Sequence, residues 1–334
     1  MTAPRGPAVR EAETSWRRYG AWALRVTIAC PACVGSRLGV SRARSPRRHA
    51  PPLPCPLPAC PRGGTRPAGG VLEPPRPSEP RPVSIAILAD IHSNIEALTA
   101  VLDHAKARGA TRIVCLGDII GYGPNPRECL QRLFVSEVAI MGNHEEAVMF
   151  YGEDFNPKAR ASLEWTKDQL NSPEHDRTEN YDLWNFLGTM QQVVEDGDIM
   201  YTHGSPRVPT REYVVPVDIK NREKIQGIFD LVKRVCFIGH SHIPHVYTSD
   251  FKHAAPEALN GAIDLEKLGE RKILINTGSV GQPRDGDPRA SYCTFDGRIV
   301  RFHRVAYDVQ STVDKIYAIE RIPNFLADRL LVGR

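Results

Sequence analysis

The chain has 334 residues, 41% of them apolar, so it is long enough for one large domain or two average ones with a real core. Its net charge of +4 is unevenly distributed, because residues 1–82 carry 14 Arg, no Lys and only 4 Glu. Residues 83–334 hold 29 basic and 35 acidic residues and are mildly acidic. Binding to nucleic acid or to an anionic membrane is therefore an expectation only for the N-terminal segment, and there only a non-specific one.

Residues 1–82 also contain 16 of the 28 prolines, and stretches dense in Pro and Arg such as 42–67 cannot bury enough apolar surface to offset the entropy of ordering, which predicts a disordered Arg/Pro-rich extension. An extension that the mature protein lacks remains an alternative. The apolar stretch 16–34 resembles a targeting segment, but Arg25 interrupts it, and it is too short and too charged to span a bilayer. Cysteines 30, 33, 55 and 60 have spacings compatible with zinc, but no strand or helix pattern surrounds them. We expect a cytoplasmic protein without membrane contact.

Three short apolar runs follow, and each ends in polar side chains that can bind a metal. The runs and their polar ends are Val83–Ala89 with Asp90-Ile91-His92, Arg112–Leu116 with Gly117-Asp118, and Val135–Met141 with Gly142-Asn143-His144-Glu145. Between the first two, Ser93 and Glu96 predict a capping box for a helix that ends at Gly109. A second helix is expected at about 126–133. This alternation predicts a mostly parallel sheet with right-handed crossovers.

The rest of the chain predicts further strands around a helical insertion at 146–190, which we expect to pack against the sheet or to cap the site. The expected strands are Gln192–Val194, Ile199–Thr202, Val235–Ile238, His245–Thr248, Lys272–Ile275 and a hairpin of Tyr292–Phe295 with Ile299–Val305. A helix is expected at about 218–232, a polar surface excursion at 250–271, and two amphipathic helices in the last thirty residues. Cysteines 115, 129, 236 and 293 lie on apolar runs and predict reduced core thiols.

Seven side chains of ligand type stand where predicted strands end, namely Asp90, His92, Asp118, Asn143, His203, His240 and His242. Each one alone has a structural explanation as a helix cap or a turn residue. Together they predict a metal centre, because open α/β sheets place their sites at the strand ends. Carboxylate, imidazole and amide ligands suit Mn, Fe, Co, Ni or Zn, and seven ligands are about right for two ions that share a carboxylate.

The motifs D-x-H, G-D, G-N-H-E, H-G and G-H-S-H, in that order, resemble those of the calcineurin-like metallophosphoesterases, especially the small bacterial and archaeal phosphodiesterases. The resemblance covers about residues 83–305. It implies an α/β fold of two sheets packed as a sandwich and flanked by helices (α/β/β/α), within a metallophosphoesterase domain at 83–334.

The resemblance also implies roles for individual residues. Asp90, His92 and His242 would bind one divalent ion, Asn143, His203 and His240 would bind a second, and Asp118 would bridge the two. The ions would be Mn, Fe, Ni or Zn, and a metal-bound hydroxide would attack phosphorus. His144 would assist the leaving group; the alternative is that His144 merely packs.

A small phosphodiester is the expected substrate, with Asn94 and Arg284 as candidate contacts. The polar character of Asn94 is explained equally well by its position at the start of a helix. For Arg284 the alternative is an ion pair with Asp285 or Asp287. A phosphomonoesterase or protein phosphatase of the same superfamily is the nearest rival, although the V-D-R-G sequence typical of protein phosphatases is missing after Gly117-Asp118. A non-catalytic, metal-dependent scaffold is a third alternative. The sequence leaves the oligomeric state open.

Overall fold

A computed structural model describes residues 84–150, 152 and 155–334. The predicted disordered extension, the targeting-like stretch and the four cysteines of residues 1–82 lie outside the described residues.

The described chain alternates strands and helices in its first half and is richer in strands in its second half. The strands are β1 Ser84–Leu88, β2 Ala110–Cys115, β3 Val138–Ala139, β4 Val193–Asp196, β5 Ile199–Thr202, β6 Val235–Ile238, β7 His245–Thr248, β8 Lys252–Ala254, β9 Ala262–Asp264, β10 Ile273–Asn276, β11 Ala290–Phe295 and β12 Ile299–Val305. The helices are α1 Ile95–Ala107, α2 Pro126–Leu133, α3 Asn143–Met149, α4 Pro157–Leu170, α5 Arg177–Thr189, α6 Arg222–Leu231, α7 Val309–Tyr317 and α8 Phe325–Val332.

The strands form two six-stranded sheets, with orders β3-β2-β1-β11-β12-β9 and β4-β5-β6-β10-β7-β8. The prediction of two sheets flanked by helices is confirmed. The prediction of a mostly parallel sheet is wrong, because only β1–β2, β2–β3, β5–β6 and β6–β10 pair in parallel. The cause is the hairpin β11–β12, which inserts antiparallel beside β1. The apolar run of β11 shows that this strand is buried. It carries no information about whether the strand runs parallel or antiparallel to β1.

The core explains why β1 reads as a continuous apolar run. Ile85 and Ile87 point between the sheets and join a cluster with Phe237 of the other sheet. Ala86 and Leu88 alternate with them and pack against the flanking helices. Both faces of the strand are therefore buried, and its polar residues can stand only at its end.

The structure corrects two local predictions. Residues 250–271 lie mostly at the surface, as predicted, but they are not an irregular excursion, because they contain β8 and β9, the edge strands of the two sheets. Edge strands are short and charged, so their pattern resembles that of a loop.

The cap of α1 is Asn94 rather than Ser93, since Asn94 Oδ1 accepts the N–H of Ala97 at 3.0 Å. Ser93 lies before the helix with a φ of 55°.

The insertion 146–190 forms the rest of α3 together with α4 and α5. Leu163, Leu170, Leu183 and Leu187 bury against the same cluster as Leu88. Buried Arg127 of α2 joins these helices by donating hydrogen bonds to the carbonyl of Gln169 and to the side chain of Asn180.

The thiols at positions 115, 129, 236 and 293 are free and buried, as predicted. Within the described residues, no helix combines the length and apolar character needed to cross a bilayer.

Candidate metal centre

The candidate ligands gather where the carboxyl ends of two strand pairs meet. Asp90 and His92 follow β1 and Asp118 follows β2 in one sheet, whereas His203 follows β5, and His240 and His242 follow β6, in the other. All six are at most 4% exposed. Asn143, half-buried, begins α3 after the third strand. The two sheets thus contribute complementary halves of one site.

These residues form two groups that share one carboxylate. Asp90, His92, Asp118 and His242 offer ligand atoms within 4.8 Å of one another, and so do Asp118, His203 and His240. Asn143 joins the second group, because its Oδ1 lies 3.1 Å from His203 Nε2. The arrangement is two overlapping groups of candidate metal ligands with Asp118 common to both.

Each of the four imidazoles turns one ring nitrogen toward a backbone carbonyl and the other toward the centre. The outward contacts are His92 Nδ1 to Ile120 O at 3.3 Å, His203 Nδ1 to Leu116 O at 2.8 Å, His240 Nε2 to Arg211 O at 3.2 Å, and His242 Nδ1 to Gln282 O at 2.5 Å. A carbonyl oxygen accepts a hydrogen bond but cannot donate one, so each outward nitrogen carries a hydrogen. When such a ring is neutral, its inward nitrogen presents a lone pair, which is the tautomer that a metal requires.

The inward nitrogens lie close to one another, as they would around an ion. His92 Nε2 is 3.1 Å from His242 Nε2, and His203 Nε2 is 3.0 Å from His240 Nδ1. When both rings of such a pair are neutral and carry the proton on the outward nitrogen, neither inward nitrogen can donate to the other. Facing lone pairs repel, and a cation between them removes the repulsion.

The backbone of the ligand loops adopts a conformation that side chains normally avoid. Asp90, His92, Asp118, His240 and His242 all have φ between 49° and 64°. This left-handed region costs non-glycine residues on the order of 1 kcal/mol or more each, although Asp and His tolerate it better than most. Such conformations concentrate at functional sites, where surrounding contacts maintain them.

Burial and mutual charge set the electrostatics of the metal-free site. Burial raises the pKa of Asp90 to about 8. Burial opposes ionisation of Asp118 as well, but His203 and His144 hold its pKa well below the usual value. Burial likewise opposes the charge of His203, yet Asp118 raises its pKa to about 9. Asp118 and His203, 3.3 Å apart, thus form an ion pair at the centre of the site.

His144 lies beside the two groups. Its backbone N–H donates to Asp118 Oδ1 at 2.9 Å, and its Nε2 is 4.0 Å from Asp118 Oδ2. Its Nδ1 is buried and has no hydrogen-bond partner among the described residues. The ring contacts Tyr122 and Phe155 edge-on, with centroids 4.4 and 5.2 Å away. His144 is therefore fixed by packing, with Nε2 on the side of the shared carboxylate.

Glu145 is a site residue whose role the sequence did not reveal. Its carboxylate, fully buried, accepts the backbone N–H groups of Asp118 at 2.8 Å, Ile119 at 2.7 Å, Ile120 at 3.1 Å and Gly142 at 2.9 Å. One side chain thereby joins the loop that carries Asp118 to the start of α3. The G-N-H-E motif contained the signal, because its glutamate stands three residues after Gly142, in the capping position.

A cavity of about 240 Å³ opens over the centre. Its lining includes predicted and unpredicted residues, namely Asp118, Tyr122, Asn143, His144, Phe155, Asn156, Arg211, Tyr213, His240, His242 and Arg284. Tyr122, Phe155, Asn156, Arg211 and Tyr213 were not predicted. They come from loops and from the insertion, where no periodicity marks them.

The two candidate substrate contacts have different environments. Arg284 lines the cavity, and its Nη2 donates to Gln282 Oε1 at 3.0 Å. The two acidic residues that were predicted as alternative partners of Arg284 pair with other arginines: Asp285 pairs with Arg304, and Asp287 pairs with Arg289. No acidic side chain among the described residues lies within 4 Å of Arg284.

Asn94 is only 1% exposed and is fully bonded inside the protein. Besides capping α1, its Oδ1 accepts from Thr312, and its Nδ2 donates to Gly281 O and Tyr307 Oη. This placement supports the helix-start explanation of Asn94 over a substrate contact.

Comparison with known proteins places the chain in a family. A model of the calcineurin-like phosphoesterase superfamily domain matches residues 83–298. The chain is 36% identical over 262 residues to an uncharacterised protein of Methanocaldococcus jannaschii, a match that covers 75% of this chain and 98% of that protein.

Two solved structures are similar over 75% of this chain and 99% of their own length. A metallophosphoesterase from Sphaerobacter thermophilus is 34% identical with a TM-score of 0.61. A hypothetical protein from Pyrococcus horikoshii is 21% identical with a TM-score of 0.58, which is a likeness of fold alone. With the family model and these relatives in agreement, the chain belongs to the calcineurin-like phosphoesterase superfamily.

Proposed function

We propose that this protein hydrolyses a small phosphodiester with the help of two divalent metal ions. One observation carries the proposal: two groups of ligand atoms share Asp118, and all four imidazoles of these groups hold one ring nitrogen against a backbone carbonyl and turn the other inward. A metal-dependent scaffold that used the fold for assembly would need the ligands, but it would not need His144 beside them or Arg284 in the cavity that opens over them.

The donor set fits two ions of borderline character. Asp90, His92 and His242 would hold one ion and Asn143, His203 and His240 the other, with Asp118 between them. Such oxygen and nitrogen ligands suit Mn, Fe, Ni or Zn. Two divalent ions bound there would polarise the phosphoryl group and lower the pKa of a water molecule.

His144 would act on the leaving group. Its Nδ1 faces no acceptor, so the neutral ring is favoured with its proton on Nε2, the nitrogen on the side of Asp118. From that position Nε2–H would donate a hydrogen bond to the oxygen that departs. Gly121 makes this placement possible, since a Cβ there would lie 2.0 Å from His144 Nδ1.

Arg284 would hold a non-bridging oxygen of the substrate phosphate. It lines the cavity, lacks an acidic partner, and has a buried Nε without a hydrogen bond among the described residues. A half-buried guanidinium in this state is well suited to an oxyanion. A diester is favoured over a phosphoprotein because Ile119-Ile120-Gly121 replaces the arginine-containing sequence of the protein phosphatases. Asn94 takes no part in this scheme.

The test compares bis(p-nitrophenyl) phosphate with p-nitrophenyl phosphate after chelation and re-addition of Mn, Ni, Zn or Mg. We expect metal-dependent hydrolysis with the diester preferred, and about two ions per chain by elemental analysis. Asp118→Asn should lower kcat/KM by at least 100-fold and reduce the ion content. Asp103→Asn, an exposed change on α1, is the matched control and should behave as the wild type. Metal-independent hydrolysis, or an active Asp118→Asn variant, would contradict the proposal.

A further inference from the structure

Tyr213 presents a half-exposed aromatic face at the proposed site. Its ring stacks on His240, with centroids 3.8 Å apart and planes inclined by 25°. Tyr213 nevertheless remains 47% exposed and lines the cavity. Its ring therefore has one face on a candidate metal ligand and further surface open to whatever enters.

The backbone that carries this ring is held in place by its neighbours. The carbonyl of Tyr213 accepts a hydrogen bond from Lys224 Nζ at 2.6 Å, and the same ammonium group pairs with Asp218 at 2.8 Å. The next residue, Val214, is 1% exposed and belongs to the cluster beneath α6. A tyrosine fixed in this way presents a flat surface at little cost in conformational entropy.

Shielding of His240 from solvent does not by itself explain why the Tyr213 ring is half exposed. If the ring served only to cover His240, burial of both its faces would be more favourable, as it is for the apolar side chains of the core. The cavity also contains hydrogen-bonding groups beside Tyr213, namely Asn156, whose Oδ1 caps α4, and Arg211, whose Nε donates to Glu146. An aromatic plane together with amide and guanidinium groups matches a heteroaromatic ring better than a plain hydrocarbon.

We infer that Tyr213 is a stacking platform for a nucleobase, so that the substrate is a phosphodiester in which at least one alcohol is a nucleoside. This inference rests on the proposed function and narrows its substrate class. Stacking of one base on an aromatic side chain corresponds to a preference on the order of 10-fold.

The experiment uses two diesters that differ only in the base: thymidine 5′-methyl phosphate and its abasic 1,2-dideoxyribose counterpart. Hydrolysis by the full chain with its activating metal is followed by chromatography. We expect kcat/KM to favour the thymidine ester by about 10-fold, mainly through KM. Tyr213→Leu should bring the ratio close to 1, whereas Tyr213→Phe should keep it.

Two controls separate stacking from damage to the metal centre. Ion content is measured for each variant, because Tyr213 touches His240. Tyr181→Leu removes a comparably exposed tyrosine from α5 and should leave the ratio unchanged. Equal rates for the two esters in the wild type, or a preference that survives in Tyr213→Leu, would overturn the platform and leave the phosphodiesterase standing. Failure to hydrolyse either ester or the aryl diester with any metal would overturn both.

Discussion

Replacement of Glu145 by Gln tests how the ligand loops are held together. The carboxylate distributes its four hydrogen bonds evenly: Oε1 accepts from Ile119 and Ile120, and Oε2 accepts from Asp118 and Gly142. Glutamine has nearly the same shape but only one oxygen. In either orientation its NH₂ group must face two N–H donors, which leaves two buried backbone groups unpaired.

The magnitude follows from this count. A hydrogen bond to a charged acceptor contributes about 1.5–3 kcal/mol, so loss of two would cost roughly 3–6 kcal/mol. Removal of a buried charge offsets part of this cost. We therefore expect Glu145→Gln to lower the free energy of unfolding by about 3 kcal/mol. The loop that carries Asp118 would also lose its anchor, so metal affinity should fall by about 10–100-fold, as for other residues that orient ligands.

Urea unfolding of the metal-free protein measures the first effect, and titration with Mn or Zn measures the second. Glu195→Gln is the control, because Glu195 is a surface residue that pairs only with exposed Lys233; its removal should change stability by no more than about 0.5 kcal/mol. If Glu145→Gln unfolds at the wild-type urea concentration and binds metal normally, the carboxylate does not organise the loops and the reasoning is refuted.

Three further outcomes are expected. Chelation should lower Tm by roughly 5–10 °C, since an ion at 100 times its Kd adds about 2.7 kcal/mol, and an unchanged melting curve would argue against resident metal. Gly142→Ala should abolish metal binding because its Cβ would lie 2.1 Å from Asp118 Oδ1, whereas Gly188→Ala on α5, with open space around it, should be tolerated in the same titration. Arg127→Met should lower the free energy of unfolding by about 2–3 kcal/mol in urea by removing the hydrogen bonds that Arg127 donates to Asn180 Oδ1 and to the carbonyls of Gln169 and Leu170, with KM unchanged.

The sequence indicates which polar side chains share the edges of the sheets for a physical reason. Buried strands exclude polar side chains, so Asp90, Asp118 and His203 stand out at once where an apolar run stops. The ends of parallel neighbours share one edge of a sheet, and this alone brings Asp90 close to Asp118. The meeting of the two sheets, which adds His203, His240 and His242, came from the order of the motifs and not from any local pattern.

Other features depend on contacts between distant segments and left no local trace. The direction of β11 is set by its pairing with β1, two hundred residues earlier in the chain. Asn94 caps α1 because it also bonds Gly281 and Tyr307, so the competition between Ser93 and Asn94 was decided by tertiary contacts. The aromatic residues of the cavity wall left no local trace for the same reason. Tyr213 stacks on His240 because of the way in which the connection between β5 and α6 folds back.

The left-handed ligand loops show how the fold maintains a centre that is unfavourable by itself. Asp90 has a φ of 54°, yet its carboxylate accepts the backbone N–H of His240 at 2.9 Å, and its carbonyl accepts from Ser279 Oγ at 2.7 Å and from the Gly281 N–H at 2.9 Å. Glu145 does the same for the loop of Asp118. The strain is therefore offset by hydrogen bonds between protein groups alone. A metal that bound such a site would have little reorganisation to drive, so more of its binding free energy would remain available for affinity.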